Sequence, residues 1–239
     1  MKIICLGTII NTVLIIAGGL VGLLFGKLFK DEWRESINLT TGVCVLFVGI
    51  SGAVAGMLNI NDGKLETANT MVVIVSLVVG MFIGELLNIE GLFDSFGIWL
   101  RAKSNSENDN NFLNGFLTAS LTVSVGAMAV VGSIQDGIAG DWTILATKGI
   151  IDFVIILVMT ITMGKGCMFS AIPVFIIQGT ITLLASLLAP YVTDLAMSYL
   201  SMVGSIMIFC IGLNLVWDKK MRVANLMPAL IIAVLAAFI

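Results

Sequence analysis

The chain consists largely of apolar runs that are long enough to cross a lipid bilayer, and no other feature constrains its fold more. A membrane-spanning helix needs about 20 mostly apolar residues. With 59% hydrophobic and 11% charged residues and a mean hydropathy of +1.10, the chain has too little polar surface for a soluble domain. Because lipid offers the backbone no hydrogen-bond partners, the sequence predicts an all-α integral membrane protein.

The runs predict about eight transmembrane helices, with seven as the alternative count. The predicted spans are 3–25, 39–58, 68–87, 112–131, 143–163, 168–189, 195–216 and 223–238. An amphipathic piece at 92–101 and a polar run at 103–111 follow the third span, and the polar run is expected to be a flexible linker. Residues 1–239 are therefore one transmembrane domain, divided into 1–90 (first helical repeat), 91–111 (amphipathic piece and cytoplasmic linker), 112–165 (central helix pair) and 166–239 (second helical repeat).

An internal repeat is suggested by short similarities between the two ends of the chain. Gly7-Thr8-Ile9 has a counterpart in Gly179-Thr180-Ile181, and Gly42, Phe47 and Gly49 have counterparts in Gly204, Phe209 and Gly212. The copies are five spans apart, so they would have opposite orientations. The alternatives are an inverted repeat of helices 1–3 and 6–8, a plan common among secondary transporters, and chance similarity in a chain rich in these residues.

Positive charges are unevenly distributed over the short connections. The connections after spans one, three, five and seven contain nine basic residues, and the opposite side contains only Lys2 and Lys64. The nine are Lys27, Lys30, Arg34, Arg101, Lys103, Lys165, Lys219, Lys220 and Arg222. Because Lys and Arg stay in cytoplasmic loops, the asymmetry predicts that both termini are extracytoplasmic. The connection 133–141 would then be extracytoplasmic and purely acidic.

Glycines recur at every fourth position in the first three spans. Gly18, Gly22 and Gly26 form the longest such stripe, in the first span. Small residues at this spacing let another helix backbone approach closely. The partner is either a neighbouring helix of the same chain or a second subunit, so the stripe also suggests a homo-oligomer.

Two charged residues interrupt the fifth span. Asp152 lies ten residues past Trp142, about 15 Å along a helix and therefore near the middle of the bilayer. Lys148 lies on the same helical face, and its ammonium group is expected to reach outward toward the interface. The alternatives are a buried ion pair that fixes helix packing and an ion or proton site whose charge Lys148 balances.

Other polar residues complete the candidate site. Asp136, between Gln135 and Gly137, indicates a surface turn; alternatively, residues 126–137 leave helical geometry and line a cavity. Asn11 and Gln178, deep in the first and sixth spans, are expected to meet at a central site. The candidate ion- or substrate-binding residues are Asp152, Lys148, Asp136, Gln135, Asn11 and Gln178.

The sequence predicts no catalytic residues, metal ligands or cofactor. Cys5, Cys44, Cys167 and Cys210 are scattered and form no zinc-binding or disulfide pattern, and histidine is absent. There is no phosphate-binding loop, no hydrolase motif and no basic patch for nucleic acid. We therefore expect a protein that is not an enzyme.

Several motifs together resemble a known family. They are 7–11 (GTIIN), 126–137 with the Lys148 and Asp152 pair, 212–214 (GLN), and 222–229 (RVANLMPA). In these motifs, and over nearly its whole length, the chain is similar to the uncharacterised bacterial multipass membrane protein family of the YqgA and YdfK type, a domain of unknown function (554). This resemblance implies a protein of the bacterial cytoplasmic membrane and a self-contained fold.

The pattern favours a small-ion or small-solute transporter or channel with a polar site near the middle of the membrane. Its expected partners are membrane lipid and the transported ion or solute. The alternative is a non-transporting oligomeric scaffold or sensor, in which the Lys148 and Asp152 pair locks an interface. Access of water to Asp152 distinguishes the two.

Overall fold

The structure is a computed structural model that describes residues 4–26, 28, 30–61, 64–106, 109, 111–124, 126–217 and 221–239. It confirms an all-α membrane protein. Its α-helices are α1 (Leu6–Gly26), α2 (Asp31–Met57), α3 (Thr70–Leu87), α4 (Ile89–Lys103), α5 (Phe112–Ser124), α6 (Ala127–Ala139), α7 (Thr143–Met163), α8 (Ala171–Leu183), α9 (Ala185–Leu188), α10 (Asp194–Trp217) and α11 (Pro228–Ala236). Short 3-10 helices occupy Lys165–Ser170, Ala189–Tyr191 and Val223–Leu226. Lys2, Lys27, Lys219 and Lys220, used above for orientation, lie outside the described residues.

Six helices in the described parts of the chain are long and apolar enough to cross a membrane, and there are seven if a bent helix pair counts as one span. The predicted fourth span, 112–131, is wrong as a single straight helix. It is replaced by α5 and α6, whose axes differ by 63°. The predicted eighth span is the shorter apolar stretch Val223–Ala236. The predicted fifth span, 143–163, coincides with α7.

A small β-hairpin joins α2 to α3, which the sequence analysis did not predict. Strand β1 (Leu58–Asn61) pairs antiparallel with β2 (Lys64–Thr67), in a register that sets Leu58 opposite Thr67. The predicted amphipathic piece is helical and forms most of α4. Residues 107, 108 and 110 of the predicted linker lie outside the described part of the chain.

The chain folds into two compact units, each assembled from separate segments. The first unit comprises Met1–Thr41 and Phe93–Pro190, and the second comprises Gly42–Leu92 and Tyr191–Ile239. In the first unit, α1 lies between α7 and α8, and the bent pair α5 and α6 packs on α7 and α8. This unit contains every candidate site residue.

Within the second unit, close antiparallel helix pairs form at glycines. A Cβ atom added at Gly49 would lie 2.5 Å from the backbone nitrogen of Phe209, so α2 touches α10 at the backbone. One added at Gly80 would lie 2.5 Å from the nitrogen of Ala229, so α3 and α11 are equally close. The predicted repeat pairs these same helices with each other, but the inverted repeat itself stays a prediction.

A polar cluster joins α3 to the start of the last apolar stretch in the second unit. Arg222 donates to Glu85 Oε2 at 2.5 Å and to Asn88 Oδ1 at 2.7 Å. Asn225 accepts a hydrogen bond from the backbone of Glu90 at 2.8 Å. Since Asn88 lies just after the end of α3 and Arg222 just before Val223–Leu226, the cluster fixes how these two segments meet.

Candidate functional site

Helix α1 packs along α7 in a parallel orientation, with their backbones in contact. A Cβ atom added at Gly18 would lie 2.5 Å from the carbonyl oxygen of Phe153, and one added at Gly22 would lie 2.6 Å from that of Leu157. The sequence left open whether the glycine stripe, which includes Gly26, packs on the same chain or on a second subunit. In the structure, Gly18 and Gly22 pack on α7 of the same chain. A homo-oligomer stays a prediction.

Lys148 and Asp152 form an ion pair inside α7, as their i, i+4 spacing indicated. The two residues are only 6% and 3% exposed. Lys148 Nζ also donates to the carbonyl oxygen of Val123 at 2.7 Å, so the expectation that its ammonium group reaches outward is wrong. The amide of Asn11, on α1, lies beside the Asp152 carboxyl group. These contacts join α1, α5 and α7 around one buried carboxylate.

The break between α5 and α6 supplies the carbonyl group that receives Lys148. Helix α5 ends at Ser124, so the carbonyl of Val123 is among the last four, which have no partner within their helix. The negative end of the α5 dipole favours a cation there. Gly126, just before α6, has φ of 148°, a conformation that favours glycine. The sequence analysis did not identify Val123, since its carbonyl group becomes free to accept a hydrogen bond from Lys148 only because α5 ends at Ser124.

Asp136 lies within α6, and both sequence expectations for it are wrong. Residues 127–139 are helical, so they form neither a surface turn at Asp136 nor a non-helical cavity lining; the chain turns at Gly140, with φ of 71°. The fully buried Asp136 carboxylate accepts a hydrogen bond from the Gly7 backbone N–H at 3.0 Å. It thus caps the N-terminus of α1 from a neighbouring helix, where backbone N–H groups lack helical partners. The adjacent Gln135 is exposed and makes none of these contacts.

Asn11 and Gln178 meet between α1 and α8, as expected. Asn11 Nδ2 donates to Gln178 Oε1 at 3.2 Å, and both side chains are buried. One turn away, the hydroxyl groups of Thr8 and Thr182 lie 3.4 Å apart. The candidate site predicted from the sequence did not include these two threonines, although Thr8 precedes Asn11 by three residues and Thr182 follows Gln178 by four. That helical spacing could have identified them.

Several buried polar atoms of the first unit keep unused hydrogen-bonding capacity. Among the described residues, the buried atoms without a hydrogen-bond partner include Asn11 Oδ1, Gln178 Nε2, Asp136 Oδ1 and the hydroxyl groups of Ser120, Ser124 and Ser133. Buried polar groups in proteins are nearly always hydrogen-bonded. An unusual concentration of such atoms in one unit indicates a place suited to a polar ligand or ordered water.

Asp141 lies outside the membrane-spanning helices, in the short connection before α7. Its Oδ1 accepts a hydrogen bond from the Thr143 backbone N–H at 3.0 Å. The hydrogen bonds from Thr143 lower the pKa of Asp141, because they stabilise the carboxylate form. Asp141 is therefore the exposed negative charge of this connection, whereas Asp136 is buried.

The broken helix, the buried ion pair and the long apolar helices define a multipass α-helical membrane protein. The chain belongs to the family described as Protein of unknown function (DUF554), which matches residues 6–238. It is 30% identical to "Uncharacterized membrane protein YdfK" of Bacillus subtilis (strain 168), over 98% of this chain and 96% of that protein. It is 24% identical to "Uncharacterized protein YqgA" of Escherichia coli (strain K12), over 95% and 94%. No solved structure matches the chain.

Proposed function

We propose that the first unit moves a small ion or small solute across the bacterial cytoplasmic membrane, with Asp152 as the central residue of the pathway. The observation that carries the proposal is a buried carboxylate whose ion-pair partner, Lys148, also bonds a carbonyl group at a helix break. Buried polar atoms with unused hydrogen-bonding capacity lie in the same unit. Charges within membrane helices are costly and occur mainly on ion and substrate pathways. Broken helices lie at the binding sites of many transporters.

The other residues have distinct roles in this proposal. Lys148 balances the charge of Asp152 while the site is closed, and the amides of Asn11 and Gln178 line it. Asp136 lies at the end of the site nearest the N-terminus of α1. Gln135 has no role, because its side chain is exposed and makes no contact with this group. The activity requires no covalent chemistry, so the protein is not an enzyme in this proposal.

A second candidate function is a membrane scaffold or sensor that transports nothing. The observation in its favour is the direct contact between Lys148 and Asp152, since a buried ion pair can fix helix packing without binding any ion. The two functions differ in whether ions and water reach the pair. Two experiments measure this.

The first experiment measures flux. Purified wild type and the Asp152→Asn variant are each reconstituted into liposomes. Uptake of radiolabelled sodium, rubidium or chloride, and uptake of protons, is then compared between the two proteins. Flux that depends on the carboxylate supports transport. Asp141→Asn is the matched control, because the same substitution there removes an exposed charge outside the site. Equal flux in wild type and Asp152→Asn would remove Asp152 from the pathway.

The second experiment measures water access with a membrane-impermeant thiol reagent. The four native cysteines are replaced, and single cysteines are introduced at Ser124 and Gln178, each of which has a buried polar atom without a hydrogen-bond partner. Ile156, fully buried one turn beyond Asp152, provides the dry control. Labelling at 124 or 178 but not at 156 supports a pathway, and no labelling at all three positions favours the scaffold.

A further inference from the structure

One face of α1 carries polar groups over its first two turns, and each of them meets a polar group of another helix. We call this surface the α1 polar face. In order along α1, the contacts are Gly7 N–H to Asp136 Oδ2 at 3.0 Å, Thr8 to Thr182 at 3.4 Å, and Asn11 to Gln178 at 3.2 Å, with Asn11 also beside Asp152. The face therefore carries a row of hydrogen-bonding groups with a buried carboxylate at each end.

The link is short. Gly7 and Asn11 are four residues apart, which corresponds to about 6 Å along a helix. Asp136 Oδ1, Asn11 Oδ1 and Gln178 Nε2 are buried and have no hydrogen-bond partner among the described residues. These atoms can hold water molecules that complete a hydrogen-bonded chain between the carboxylates.

Helices α1 and α7 are in close contact beside the α1 polar face. A Cβ atom added at Gly149 would lie 3.0 Å from Asn11 Cα, and one at Gly7 would lie 2.8 Å from Leu145 Cβ. A metal ion needs oxygen ligands or water on several sides, at distances of about 2.0–2.6 Å. A proton needs only neighbouring donors and acceptors.

We propose that the ion moved through the first unit is a proton, which passes between Asp136 and Asp152 along the α1 polar face. This inference rests on the transport function proposed above and names its ion. In each step an O–H bond forms on the accepting carboxylate, hydroxyl or water as the O–H bond of its donor breaks, so no other reactant is needed. A proton on Asp152 neutralises the carboxylate and releases Lys148, and its departure restores the pair.

Few other titratable groups face this path. Among the described residues of α1, α5, α8 and α9 there are none. The titratable groups on elements that pack against α1 or α7 are Lys148 and Asp152 on α7, Asp136 on α6, and Lys165 and Cys167 in the 3-10 helix that follows α7, with Cys5 just before α1. Asp136 and Asp152 are thus the two carboxyl groups on the path.

The test measures proton entry into liposomes that contain the full-length protein and a trapped pH-sensitive dye, driven by a potassium diffusion potential. We expect internal acidification in wild type and a rate equal to that of protein-free liposomes in Asp136→Asn and Asp152→Asn. Thr8→Val removes a relay hydroxyl and should slow entry, whereas Thr8→Ser keeps the hydroxyl and should restore it. The nearby Thr12→Val is the matched control, because its hydroxyl only donates to the Thr8 carbonyl of its own helix.

The outcomes separate this inference from the function on which it rests. Carboxylate-dependent flux of sodium, rubidium or chloride without proton entry overturns the proton path and leaves transport standing. Proton entry that persists in both aspartate variants also overturns it. If a variant does not fold, as judged by size-exclusion chromatography, wild type and the Thr8 pair still decide the matter. Absence of flux for every ion, together with failure of thiol labelling, removes the transport function itself.

Discussion

At the level of single residues, the fold keeps opposite charges inside the membrane by giving each a specific partner. Lys148 has both the Asp152 carboxylate and the Val123 carbonyl, and Asp152 has both Lys148 and the amide of Asn11. Such a pair contributes little net stability relative to apolar residues, but removal of one partner leaves an uncompensated buried charge. The effect of each residue on stability therefore depends on whether its partner is present.

A double-mutant cycle on this pair tests that interdependence. Lys148→Met and Asp152→Leu are each expected to lower the free energy of unfolding by about 3–5 kcal/mol, and the double variant by much less than their sum. The measurement is reversible unfolding in mixed micelles with increasing dodecyl sulfate. Additive losses would mean that the two side chains do not interact in the folded protein.

Asp141 gives a residue-level prediction about pH. Its pKa is lowered below the usual 3.8 in the folded protein, so it contributes stability above the unfolded value that is lost as the pH falls through the folded pKa. Wild type should therefore be more thermostable than Asp141→Asn at neutral pH. The difference should shrink as the pH falls below 3.8. Thermal unfolding of both proteins across this range checks the trend; a constant difference contradicts it.

At the level of elements, glycine decides how α1 and α7 pack. The Cβ atom of Gly22→Ala would lie 2.6 Å from the Leu157 carbonyl, a backbone atom that cannot move aside easily. We expect this substitution to destabilise the protein by about 1–3 kcal/mol. Gly179→Ala is the matched control, since nothing lies within 4 Å of its Cβ position and a helical alanine should stabilise by about 0.4–1 kcal/mol. Changes of the same sign in the free energy of unfolding of the two variants would contradict the packing argument.

The break between α5 and α6 depends on backbone conformation and not on space. Gly126, like Gly179, has no atom within 4 Å of its Cβ position, but its φ is 148°. Gly126→Ala should therefore cost about 1–3 kcal/mol of strain and lower flux by shifting the Val123 carbonyl away from Lys148. The test compares the free energy of unfolding and the liposome flux of Gly126→Ala with those of Gly179→Ala. Equal values for the two variants would show that the break tolerates a side chain.

At the level of the whole molecule, the last apolar stretch decides where the C-terminus lies. Its 14 residues, Val223–Ala236, are short for a span, but α11 runs antiparallel beside α3. Gly80 meets Ala229, Gly84 meets Asn225, and Leu77 packs in the cluster that contains Ala233. Extended in the same register, Ala236 would come close to Val73, near the start of α3 at Thr70. The two helices therefore cover nearly the same depth.

From this register and the positive-charge asymmetry, we predict that both termini are extracytoplasmic. Alkaline phosphatase, which is active only outside the cytoplasm, should be active when fused after Ile239. Green fluorescent protein inserted after Ser104 should be fluorescent, because the polar linker is predicted to be cytoplasmic. An inactive C-terminal phosphatase fusion would place the last stretch in the membrane without crossing it.

The sequence by itself determined the membrane class, most helix positions and the residues that bear charge inside the membrane, because hydropathy and i, i+4 spacing act locally along the chain. It also indicated that Asn11 and Gln178 meet. Only the tertiary structure decided that Asp136 caps α1, that Gln135 lies apart, and that the Gly18 stripe is covered by α7. Each of these depends on which helices become neighbours. Residues far apart in sequence, such as Gly7 and Asp136, come into contact only when the whole unit is packed.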